Sequence, residues 1–95
     1  MGLVHTSATV GTTVVTVVPV ATGGEYNFIA IANNGSGTAY LKMVPSTVTL
    51  TASNGVPLAS GASLLLDQDV TPILVAGVSA VCDTGATTTI AVQAY

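Results

Sequence analysis

Fifteen valines and fifteen threonines in a chain of 95 residues restrict the backbone more than any single motif does. Both side chains branch at Cβ, which crowds a helix but suits the pleated surface of a sheet. Glu25 is the only glutamate and Lys42 the only basic residue, so the exposed faces of amphipathic helices have almost nothing to be built from. Short apolar runs return at intervals near ten residues, separated by Gly, Pro, Asn and Asp. That rhythm predicts an all-β fold: a single antiparallel β-sandwich or jelly-roll-like barrel of seven to eight short strands. One domain is expected over residues 1–95, with residues 1–10 as an extended arm or first strand.

The segment FIAIANNGSGTAYL, residues 28–41, organises this reading. Two strand-length apolar pieces flank Asn33-Asn34-Gly35-Ser36-Gly37, and Asn and Gly tolerate the positive φ of tight turns, so a hairpin is predicted. Ile29 and Ile31 share one face of the first arm, with Phe28, Ala30 and Ala32 on the other. Neither arm has a polar face, so cover on both sides is expected, from the same domain or from another chain. A second hairpin is predicted over residues 78–92, turning at Asp83-Thr84-Gly85. Val48 and Leu50 alternate with threonines and predict a half-exposed strand over residues 47–51. Turns are expected at Thr22-Gly23-Gly24, Pro45-Ser46, Val56-Pro57 and Ser60-Gly61, with an apolar run at 64–66 and a buried segment at 73–75.

Charge excludes several functions. Charged residues are 5% of the chain and apolar residues 49%, with net charge −3, where a soluble domain usually carries about a quarter charged. One cation cannot neutralise a run of phosphates, so no nucleic-acid partner is expected. A polybasic membrane contact fails for the same reason. The N-terminal sequence has no basic n-region and its apolar run is broken by Thr16 and Pro19, so neither a signal peptide nor a spanning helix is predicted. Cys82 is the single cysteine, which provides no disulfide framework and suits a reducing cytosol.

Motifs for chemistry are sparse. His5 and Cys82 lack a third orienting group for a nucleophilic pair, and Cys82 reads as a small core residue. No serine stands in a Gly-x-Ser-x-Gly elbow. Gly35-Ser36-Gly37 has no following helix or lysine to make a phosphate loop. Asp67 and Asp69 offer two oxygen ligands where Ca²⁺ takes six to eight, so a solvated turn is the better account. No enzyme activity, cofactor or resident metal is expected.

Three segments in order, Ile29-Ala30-Ile31-Ala32-Asn33-Asn34-Gly35 with its return Ala39-Tyr40-Leu41, the loop Gly55-Val56-Pro57-Leu58-Ala59-Ser60-Gly61, and the closing hairpin 78–92, resemble a group of small β-sandwich proteins encoded among the virion genes of tailed bacteriophages. The resemblance covers residues 26–95. Where that group often has a basic residue before the first of these strands, this chain has Glu25-Tyr26-Asn27. The resemblance implies a structural virion protein made in the bacterial host cytoplasm: a capsid decoration (cement) protein, with a neck or tail-fibre module binding a receptor or glycan through loops at Asn34, Asn54 and Asp67 as the alternative. It implies as partners further copies of the chain, as a homotrimer or other homo-oligomer, and the major capsid protein or other virion proteins. The expected contacts are Leu3, Val4, His5, Thr87, Thr88, Thr89 and Tyr95.

Overall fold

The computed structural model describes residues 4–19, 26–43, 48–67 and 77–95. Eight strands lie within them: β1 (Val4–Val10), β2 (Val15–Val18), β3 (Phe28–Asn33), β4 (Ala39–Lys42), β5 (Val56–Leu58), β6 (Ser63–Asp67), β7 (Val78–Cys82) and β8 (Thr88–Ala94). They form two four-stranded sheets, ordered β1-β8-β3-β6 and β2-β7-β4-β5, and every ladder is antiparallel. The pairs β1–β8, β2–β7, β3–β6 and β4–β5 nest inside one another, as if one long hairpin had been rolled up. This is the jelly-roll form of the β-sandwich, and the predicted all-β class holds.

The rolled topology corrects both predicted hairpins. β3 lies in the first sheet and β4 in the second, and β7 and β8 are likewise divided, so residues 33–38 and 83–87 carry the chain across the sandwich rather than back along a neighbour. Among the described residues, β4 and β5 are the only consecutive strands that share a sheet. The predicted positive φ is also missing from the first turn. Positive φ occurs at Gly61, Gly77 and Gly85 among the described residues, and at no non-glycine. Gly85 does fit the expected turn chemistry of the second crossing.

Alternation along the strands decides what is buried. In β3, Ile29, Ile31 and Asn33 point inward, while Phe28, Ala30 and Ala32 are half-buried on the outer side. Ile90, Val92 and Ala94 of β8 meet them from the next strand, and Leu66 from β6. The facing sheet supplies Val18, Ala39, Leu41, Leu58, Val78, Ala80 and Cys82. Removing each large aliphatic side chain from water contributes about 1.5–3 kcal/mol, so this one inter-sheet core dominates the stability.

Two further expectations change. Residues 48–50 are not a strand. Val48 is exposed and Leu50 buried, in a loop tied to itself by Asn54, whose side chain accepts from Thr51 N (2.8 Å) and donates to Thr49 O (2.9 Å). The loop packs on the outer face of the second sheet, where a Cβ on Gly55 would meet Tyr40 Cβ at 2.7 Å and Leu50 Cδ1 at 2.9 Å. Val56-Pro57, expected to be a turn, is the strand β5; it lies at a sheet edge, where a proline that cannot donate is tolerated. The turns expected at Thr22-Gly23-Gly24 and Pro45-Ser46, and the apolar run 73–75, fall outside the described residues.

Candidate interaction surface

The outer face of the first sheet concentrates what the sequence leaves unexplained. Register puts His5, Ser7 and Thr9 of β1, Thr89, Ala91 and Gln93 of β8, Phe28, Ala30 and Ala32 of β3, and Ser63 and Leu65 of β6 on this side. The alanines are too small to fill the pleat, and a shallow groove of about 260 Å³ runs over Ala30, Ala32 and Ala91 between His5, Gln93, Ser63 and Leu65. At one end Phe28 stacks on Tyr95, with ring centroids 5.5 Å apart and planes inclined by 26°. Backbone bonds in both directions between these two residues, 3.0 and 3.1 Å, hold the rings side by side.

The face is apolar and hydroxyl-lined over β1, β8 and β3, and the acidic position in its register is Asp67, opposite Phe28 at the end of β6. Leu65 is 63% exposed and Tyr95 51%, which places two large apolar side chains in water on one side of a nine-kilodalton protein. Contiguous exposure of this kind is characteristic of surfaces that meet another macromolecule. The sequence signal for it is the absence of a polar face on residues 28–33; the Phe28–Tyr95 stack, between residues 67 positions apart, leaves no local trace.

The predicted contact residues distribute unevenly. His5, Thr89 and Tyr95 share the outer face, and Thr87 is exposed at its end. Val4 faces inward and is half-buried at the margin of the core. Thr88 is 4% exposed and its hydroxyl donates to the Asn33 side chain, so it belongs to the interior and offers a partner no surface. Leu3 lies outside the described residues. The loop residues Asn34, Asn54 and Asp67 do not converge. Asn34 follows the end of β3, Asp67 pairs with Phe28 at its beginning, and Asn54 sits over the other sheet, so about 20 Å of strand separates the first two.

His5 and Cys82 are also held apart. His5 is exposed on the outer face of the first sheet, whereas Cys82 is buried in the second, its thiol donating to Val10 O at 3.3 Å. Burial raises the Cys82 pKa, so thiolate chemistry is disfavoured there. Among the described residues no group of three or more His, Cys, Asp or Glu side chains gathers as a metal site. Asp69 lies outside the described residues. In comparisons with protein-family models, curated proteins and solved structures, nothing matches the chain.

Tyr26 closes one end of the core, buried, with its hydroxyl donating to Pro19 O at 2.7 Å. Burial raises its pKa too. Folding thus holds both Tyr26 and Cys82 neutral, while the unfolded chain releases these protons at their ordinary values. The stability tied to them is present below those values and is lost as pH rises through them, from about pH 9 for a thiol and about 10 for a phenol. Melting temperature is expected to be level near neutrality and to fall above about pH 9, the upper part of the fall being shallower in Tyr26→Phe. A melting temperature level to pH 11, or identical profiles for the two proteins, would contradict this.

Proposed function

We propose that this chain is a structural component of a tailed-bacteriophage virion, a capsid decoration (cement) protein that attaches to the outside of the shell as a homo-oligomer and stabilises it without catalysing a reaction. The observation that carries the reading is the outer face of the first sheet, where apolar and hydroxyl side chains of β1, β8 and β3 stand in water. Apolar area covered there contributes about 25 cal/mol per Å² before association costs. Few ions have to be stripped of water in the process, and hydroxyls such as Thr89 and Ser63 can exchange water for partner hydrogen bonds. The jelly roll is itself a common architecture of viral coat and lectin domains, which agrees with the sequence resemblance without deciding between them.

The test uses particles stripped of the protein. Purified chain is expected to rebind them and to raise the temperature at which they release their genome. Ala91→Arg, a charge at the middle of the face on a residue whose side chain points away from the core, is expected to abolish rebinding while the melting temperature of the free protein changes by only a few degrees. Full rebinding by Ala91→Arg removes this face from the shell contact, and failure of the unmodified protein to rebind removes the role. Copy number separates decoration from the alternative neck or tail-fibre module: copies in proportion to capsomers mean decoration, copies in proportion to one vertex mean neck or fibre.

A further inference from the structure

The four strands that end the two sheets are not equally protected. Sheet proteins blunt their edges, because a row of unpaired N–H and C=O groups is a template for another strand. β2 is four residues long, with a break in register between Thr16 and Val18 and Pro19 directly after it. β5 has three residues and contains Pro57. β6 ends on the acidic Asp67. β1 has none of these devices: its seven residues, VHTSATV, carry no proline, no Asp, Glu, Lys or Arg, and no irregularity against β8.

The phase of the hydrogen bonds shows which groups the edge presents. Phe28 and Tyr95 exchange backbone bonds, and Asn34 N donates to Thr89 O at 2.9 Å, so Thr89, Ala91, Gln93 and Tyr95 direct their backbone groups to β3. The intervening Thr88, Ile90, Val92 and Ala94 therefore bond to their register partners Val10, Ala8, Thr6 and Val4. His5, Ser7 and Thr9 are left sending N–H and C=O to the open side. All three residues are exposed, as is Thr6, although Thr6 faces the inner side. Among the described residues the one hydrogen bond to these groups comes from the Thr6 hydroxyl to Ser7 O, long at 3.4 Å.

We propose that the β1 edge is the pairing site for β1 of a second copy, antiparallel and centred on Ser7, so that two four-stranded sheets join into one of eight. The strand is complementary to itself. With Ser7 opposite Ser7 of the second copy, His5 meets Thr9, and each of these residues already aims its backbone groups outward, giving six new backbone bonds. Thr6 then meets Ala8 and Val4 meets Val10, so the inner and outer faces of the two sheets run on without a slip. No like charges oppose each other, and the contact has the two-fold symmetry of the commonest homo-oligomers. Pairing also brings together the two grooves that His5 borders. It stands independently of the shell role, which is read through Ala91 on the outer face.

Sedimentation of the purified full chain is expected to show a reversible dimer, with Ser7→Lys raising its dissociation constant at least about tenfold by setting two ammonium groups opposite each other. Cysteine placement tests the register without depending on that variant. Ser7→Cys puts the two Cα atoms about 5.5 Å apart, inside disulfide range. Thr9→Cys offsets them by about 13 Å along the strands at 3.3 Å per residue, outside it. Mild oxidation is expected to give covalent dimer from Ser7→Cys and none from Thr9→Cys, with buried Cys82 common to both. A protein that stays monomeric at every concentration, a dimer indifferent to Ser7→Lys in a folded variant, or equal crosslinking at positions 7 and 9 overturns the proposal.

Discussion

Asn33→Ala is expected to destabilise the protein by about 3–5 kcal/mol, as much as truncating a fully buried leucine or isoleucine of the core to alanine. Asn33 is fully buried at the end of β3, where the chain leaves the first sheet, and its side chain uses both of its polar atoms twice. Nδ2 donates to Gly37 O and to Leu58 O, both at 2.8 Å. Oδ1 accepts from Gly35 N at 3.1 Å and from the Thr88 hydroxyl. One side chain therefore ties the crossing loop to itself, to β5 in the second sheet and to β8 in the first. Alanine leaves two carbonyls and two donors short of a partner, and an unsatisfied buried group costs about 1–3 kcal/mol. For a domain of this size the loss corresponds to a melting temperature lower by on the order of 20 °C.

Asn33→Asp separates donor loss from loss of volume. The carboxylate keeps both acceptor roles but faces Gly37 O and Leu58 O with no proton to give. Its deficit is expected to be comparable at neutral pH and to narrow in acid, because protonation restores one donor and removes a buried charge. The sign follows: a carboxyl whose ionisation is opposed by folding is least harmful below the ordinary carboxylate range, about pH 4, and most harmful above it. An Asn33→Ala protein within about 1 kcal/mol of the unmodified one would show that the corner is held by something else.

That corner also shows how much was legible in the sequence. Alternation put Ile29 and Ile31 together on one face of a strand and the β-branched content identified the class, because both signals are local; which face turns inward was not legible from residues 28–33 alone. The partition of strands between sheets was not legible. Asn33-Asn34-Gly35 has the composition of a tight hairpin turn, yet what sends β4 into the other sheet is the Asn33 side chain bonding Leu58 and Thr88, 25 and 55 residues away. Residues 48–51 do not form a strand for a related reason. Their alternation is real, but Asn54 folds the segment onto itself before it can pair. Of the interaction surface, the lack of a polar face on β3 was visible, whereas the groove depends on Ala91 lying beside Ala32 in a register set by the whole ladder. Thr88 illustrates the opposite error: alternation already puts it on the face of Ile90, Val92 and Ala94, and that face turns inward.

Gly35→Ala is expected to cost about 3 kcal/mol or more, against about 1 kcal/mol for Gly61→Ala, reversing the order that dihedral angles alone suggest. Gly61 has φ +80°, but a Cβ there meets nothing within 4 Å, so only the left-handed strain opposes alanine. Gly35 has an ordinary φ and no room. Its Cβ would collide with the Thr88 hydroxyl, with Thr89 N at 2.5 Å and with Thr88 Cα at 2.8 Å. Two of these atoms are backbone of β8, which is fixed between β1 and β3 and cannot step aside. The loop would have to move instead, drawing Gly35 N away from Asn33 Oδ1 and loosening the bonds described above. Gly37→Ala, whose Cβ would lie 2.6 Å from Thr87 O, is expected to fall between the two. Urea midpoints for the three variants give the ranking directly. If Gly61→Ala proves the most damaging, the corner tolerates a methyl group and the close packing of loop 33–37 on β8 is not what holds the two sheets in place.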